Sequence, residues 1–313
     1  MIQHLQRKEG MKVSKSKKFL AVDIIYILGM ILPILCAIVL SVLTSPASEG
    51  VEITGALIYF TIPMPLQNFP VTEAQINSWL VIISIFFLCL YMTHGLKERP
   101  ELKRQHIAEM LVEKAEALVK DSMGEYFSNY GPFIASILAL SAFSSLLSLF
   151  GLFPPTSDLN VVAGWAILVF GLITYYKFKC GPLNYVKSFG DPVPFLAPLN
   201  VISEVATPVS MAFRHYGNVL SGTVIGVLIA TALQGASSLI LGWAPGFLAE
   251  IPLLQVGIPA VLSIYFDVFS GLLQAYIFAM LTMLYVSGAF NIDLYEKIRA
   301  KKKLKNKQNS EEK

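Results

Sequence analysis

One arginine lies where an arginine is costly. The run from Asn200 to Thr231 (NVISEVATPVSMAFRHYGNVLSGTVIGVLIAT) is mostly apolar, yet it carries Arg214 near its middle. Of the 24 Lys and Arg residues, the other 23 fall outside the apolar runs. A guanidinium stays protonated in proteins, and a charge at membrane depth is expensive enough to mark a functional site. On a helix, Thr207, Ser210, Arg214, Asn218 and Ser221 share one face, flanked by Gly217 and Gly222. A polar stripe rich in small residues suits a partner or water better than acyl chains. A second stripe lies further on, where Ser263, Asp267, Ser270 and Gln274 recur at helical spacing beside Gly271. Facing the first, it would set a buried carboxylate and an amide against the guanidinium, since buried ionisable groups persist mainly as pairs or beside water.

The elements that must carry these stripes follow from hydropathy. The chain has 313 residues, 55% hydrophobic and 14% charged, with several apolar runs near the roughly 20 residues that span a bilayer. Spans are expected at about 19–43, 77–94, 130–153, 161–176, 201–231 and 258–290. The charged stretch 97–122 keeps apolar residues at helical spacing and reads as a helix lying on the membrane surface. The first run follows a basic leader but has no small-x-small cleavage signal, so it reads as a retained span. The runs 201–231 and 258–290 would extend about 45–50 Å at 1.5 Å per residue, against a hydrocarbon core of about 30 Å. Tilt or bending at Pro208, Gly257 and Pro259 would absorb the excess.

Charge fixes the orientation. Counted loop by loop, Lys and Arg alternate as six, none, six, none, three, none and eight. Basic loops stay in the cytoplasm, so both termini are expected inside, with six crossings between them. The net charge of +3 therefore reflects topology and gives no ground for a nucleic-acid partner. Cys36, Cys89 and Cys180 are far apart, and the four histidines form no ligand pattern. No cofactor or metal is expected. No Ser/His hydrolase context, His-Glu-x-x-His or paired-Asp motif appears. The expected class is an all-α polytopic membrane protein.

Two segments then carry a resemblance. PVSMAFRHYGNVLSG resembles the signature P-x-S-x-x-x-R-x-x-G-N of subunit a, the membrane stator of F-type ATP synthases, and GLLQAYIFAMLTMLYVSGA resembles that family's final helix. PTSDLNV and FLAPLNVISE are similar to further family segments, and the similarity covers about 77–290. The resemblance implies a bacterial cell-membrane protein whose last two long, tilted helices pack as a hairpin against a ring of proteolipid c subunits. Its other implied partners are the peripheral-stalk b subunits and the bilayer. Residues 1–76 then form an extra N-terminal span with an outer loop, 77–290 the family domain, and 291–313 a basic cytoplasmic tail.

By the same resemblance, Arg214 matches the family's essential arginine, Asn218 and Gln274 the polar residues near it, and Ser210 a serine on its face. The arginine is often followed by Leu-Phe in the family but here by His215-Tyr216, and Asn200 stands where many members have glutamate, although Glu204 keeps a second family acid. An acid and a histidine that pair in some members correspond here to Thr223 and Asp267. The implied role is to form two half-channels through which protons, or alternatively sodium ions, reach and leave the ring, and the implied ion-translocation residues are Arg214, Asn218, Gln274, Asp267, Ser210 and Glu204. Each also has a plainer reading. Asp267 could be a structural partner of Arg214 or a serine, and Gln274 interhelical glue. Ser210 could be a packing serine, and Glu204, about 80° off the Arg214 stripe at 3.6 residues per turn, an interfacial residue. His215 reads as a packing or hydrogen-bonding residue and Asp158 as a helix cap. A secondary transporter or channel with a buried Arg–Asp pair is the rival function.

Overall fold

The computed structural model describes residues 2–44, 55–65, 68–96, 98, 102–190, 193–241, 257, 261–262 and 264–300, with side chains from residue 19 onward. Six described helical segments are long and apolar enough to cross a membrane: Phe19–Thr44, Glu73–Thr93, Glu125–Phe150, Leu159–Lys179, Pro194–Leu239 and Ile264–Ala300. They coincide with the six runs read from hydropathy. Pro259, Ser263 and the end of the basic tail, 301–313, lie outside the described residues.

Helix α1 spans Ile2–Thr44, and α2 spans Glu73–Thr93. Between them a short antiparallel hairpin, β1 (Ile58–Ile62) and β2 (Phe69–Thr72), pairs Ile58 with Thr72 and Ile62 with Phe69. Its β-branched and aromatic residues suit a pleated strand, but two strands this short give almost no periodic signal, and the hydropathy reading placed no element there. Thr72 ends β2 and caps α2, its hydroxyl accepting from the Gln75 N–H at 3.4 Å. Helix α3 (Lys103–Met123) lies within the charged stretch expected to be helical from the sequence. It stops at Gly124, whose φ of 84° disfavours other residues. A 3₁₀ turn, Glu125–Tyr130, leads into α4 (Gly131–Leu146). Asp158 caps α5 (Leu159–Lys179) by accepting from the Asn160 N–H at 2.9 Å, as expected of it.

After the short α6 (Pro182–Ser188) comes α7, 45 residues from Ala197 to Leu241 and unbroken at Pro208. At 1.5 Å per residue it is about 67 Å long. The last span opens as a π-helix over Ile264–Ser270 and continues as α8, Gly271–Gly288. Helices α7 and α8 pack on one another, and each also packs on α5. The core joins α3, α4, α5, α7 and α8 through residues such as Val119, Ile134, Val169, Met211 and Phe278.

Lipid tails are as apolar as leucine, so helices in a bilayer associate through close packing. Two glycines allow it here. A Cβ on Gly271 would fall 2.7 Å from Ser145 Cβ of α4, and one on Gly222 would fall 3.1 Å from Phe266 Cβ. The first span is held differently. Arg104 of α3 reaches Asp23 of α1 at 2.8 Å, and His94 Nδ1 meets the same carboxylate at 2.9 Å. The guanidinium also stacks over Phe19 and Tyr91 at 5.1 and 4.9 Å.

Candidate functional site

Helix α7 turns two different faces to its surroundings. Met211, His215 and Gly222 are buried, spaced at four and seven residues along one side. His215 is fully buried, with Ser141 Oγ at 3.2 Å from its Nε2 and the rings of Trp165 and Phe278 edge-on at 6.0 and 5.5 Å. Consecutive helix residues point about 100° apart. With His215 turned inward, Arg214 is carried to the margin, where it is exposed beside Phe213 and Ser210. Among the described residues Arg214 makes no ion pair.

The polar stripe therefore splits in two. Asn218 turns toward the last span: its Oδ1 accepts from Ser270 Oγ at 2.9 Å, and its Nδ2 donates to the Ser270 carbonyl at 3.4 Å. Gln274, one turn along α8, is buried at 6% exposure. Asp267 is half-buried within the π-helix. Among the described residues Asp267 makes no ion pair with Arg214, and the backbone before it departs from a plain α-helix. A straight α-helix would put Asp267, Ser270 and Gln274 on one face, but the wider i→i+5 turn shifts everything before Gly271 out of that register. Such turns occur often at functional positions. Thr223 is exposed, its hydroxyl bonded back to the Val219 carbonyl at 3.1 Å.

A second polar group lies at the other end of α7. A cavity of about 360 Å³ is lined by Lys177, Ser188, Asn200, Ser203, Glu204 and Thr207, among others. Both carboxylate oxygens of Glu204 receive the Lys177 ammonium, at 2.7 and 2.6 Å, and one also accepts from the Tyr185 hydroxyl at 3.3 Å. Burial and the Glu204 charge both hold the Tyr185 phenol above its ordinary range, so it remains a donor. Asn200 donates to the Phe189 carbonyl at 2.7 Å, which ties the start of α7 to the loop before it. From this cavity Thr207, Ser210 and Arg214 rise along α7 at helical spacing.

Three features escaped the sequence reading. Lys177 looked like one charge of a basic loop, and only the fold brings it to Glu204. Tyr185 carried no signal. The buried serines of α4, Ser141, Ser144 and Ser145, did carry one: with Ser148 they recur at i, i+3, i+4 and i+7, a polar face on an apolar span.

Comparison with known proteins bears on what this arrangement does. The family model described as ATP synthase A chain matches residues 75–287. ATP synthase subunit a of Trichlorobacter lovleyi is 31% identical over 222 residues, covering 69% of this chain and 86% of that protein. ATP synthase subunit a of Legionella pneumophila (strain Philadelphia 1) is 28% identical over 236 residues, 75% of this chain and 92% of its own length. A relative from Propionigenium modestum, named ATP synthase subunit a, sodium ion specific, is 27% identical over 269 residues, 76% and 86% of the two chains.

Proposed function

Since this chain belongs to the ATP synthase A chain family, a multi-pass membrane subunit of the F-type ATP synthase that serves ion translocation beside the c-ring, we propose that it forms two separate half-channels with Arg214 between them. The observation that carries the reading is the split of the α7 stripe. Arg214 is presented unpaired on an exposed face, while Asn218 is turned inward to Ser270 and a polar cavity opens below. The rival transporter reading needed a buried Arg214–Asp267 pair, which the described residues do not form.

A ring carboxylate passing through lipid must be neutral, because stripping water from a lone carboxylate costs several kcal/mol. Opposite Arg214 it ionises, since an adjacent positive charge favours the charged form. The proton it takes up enters from the outer side, past Asp267, Asn218 and Gln274. The proton it releases leaves on the cytoplasmic side, past Ser210 and Thr207 into the cavity at Glu204. Arg214 keeps the two paths apart, and the membrane potential supplies about 2.3 kcal/mol per charge per 100 mV. The charge alternation of the loops supports an orientation with both termini in the cytoplasm. The exposed faces of α7 and α8 are the surface offered to the ring, and the surface helix α3 is the contact offered to the peripheral-stalk b subunits.

The test is Arg214→Ala in inverted membrane vesicles carrying the whole synthase. ATP-driven proton pumping should vanish while the c-ring still co-purifies. Retained pumping would reject the role.

A further inference from the structure

The mechanism above leaves His215 unused, yet its surroundings are unusual for a packing residue. It is fully buried in a membrane span, and while Ser141 Oγ meets Nε2, Nδ1 finds no hydrogen-bonding partner among the described residues. A buried polar atom without a partner is costly. Whichever tautomer is present, one nitrogen of the ring needs something the described residues do not supply.

The polar atoms near it extend in one direction. On α4, Ser145 Oγ bonds the Ser141 carbonyl at 3.1 Å and Ser148 Oγ bonds the Ser145 carbonyl at 2.8 Å. Ser145 lies directly under Gly271, at the junction of the π-helix and α8. The π-helix bearing Asp267 packs on α4 and on the turn that follows it. At the far end, Thr156 belongs to the turn Pro155–Ser157, which packs on α4 and α7. Its Oγ1 is likewise buried, with no partner among the described residues. The inner end of the track adjoins the machinery: Asn218 is one turn from His215 on α7, and Gln274 is one turn from Phe278, which touches the imidazole.

We infer that His215 Nδ1 holds a water molecule at the inner end of the outer proton path, and that the path runs along Ser148, Ser145 and Ser141 between α4 and the π-helix. The inference rests on the half-channel reading above. Each transfer is a relay: the water takes one proton from the outer side and gives up another toward Asn218, Gln274 and the ring carboxylate. The imidazole stays neutral and serves as the fixed hydrogen-bond partner that orients the water.

His215→Leu fills the same space without a nitrogen, whereas His215→Gln keeps polar atoms there. Measured in vesicles carrying the whole synthase and normalised to assembled complex, ATP-driven pumping should fall about tenfold in the leucine variant, the scale of one lost hydrogen bond. It should recover to near the wild-type rate in the glutamine variant. Ser141→Ala, which barely changes volume, should also slow pumping. Wild-type pumping in His215→Leu or in Ser141→Ala overturns the inference, as does equal loss in the leucine and glutamine variants. Arg214→Ala in the same vesicles separates the two levels: if it abolishes pumping while His215→Leu pumps at the wild-type rate, the half-channel reading stands and only the water site falls.

Discussion

Placing a single methyl group at Gly271 tests how the last span is positioned. A Cβ there would fall 2.7 Å from Ser145 Cβ and 3.3 Å from its Oγ, whereas carbon atoms in good contact sit at about 3.5–4.0 Å. The helices α4 and α8 must then part by about 1 Å, and overpacking of this kind costs roughly 1–3 kcal/mol. Alanine is the better helix former by about 1 kcal/mol, so the net effect of Gly271→Ala is a loss of up to about 2 kcal/mol. The shift also acts on function, because Ser270 precedes the glycine and holds Asn218 at 2.9 and 3.4 Å. Ser145→Gly removes the atom that the new methyl strikes. The double variant should therefore recover most of the loss, with a coupling of about 0.5–3 kcal/mol, the range for residues in contact. The assay is the temperature at which heated vesicles lose half their ATP-driven pumping, compared across wild type, both single variants and the double. A Gly271→Ala protein more stable than wild type would refute the reasoning. So would a Ser145→Gly change that adds to the damage instead of offsetting it.

Two ion pairs give further expectations. Lys177→Met leaves the Glu204 carboxylate, 13% exposed, without its cation. The loss should lie between that of a surface pair and that of a buried one, roughly 1–3 kcal/mol. Adding Glu204→Gln should lessen it, since the stranded charge is then gone, and heat inactivation that is worse in the double variant would contradict this. At the N-terminal span, Asp23→Ala removes the carboxylate shared by Arg104 and His94. It should loosen α1 from α3 by about 1–3 kcal/mol and raise the rate at which added protease cuts between α2 and α3. An unchanged cleavage rate would show that the helix contacts alone hold the span.

What the sequence determined by itself rests on short-range physics. A bilayer sets one length for every apolar run and one sign for every alternate loop, so six spans and a surface helix could be read without coordinates. A charge in hydrocarbon is conspicuous for the same reason, and so Arg214 stood out. The α4 serines were legible as a spacing, though not as a path. What only the tertiary structure decided concerns rotation and long-range pairing. A stripe drawn at 3.6 residues per turn cannot anticipate a π-turn, and that turn shifts Asp267 out of the register drawn for it, while Ser270 at its end bonds Asn218. Nor can spacing show that Lys177 closes on Glu204, 27 residues away, or that His215 is turned into the core. Which face of α7 is buried depends on close packing against α5 and α8 and on the Ser141 contact from α4. Arg214 is exposed because its neighbour fills that core, a fact set by three other helices and not by the residues around it in the chain.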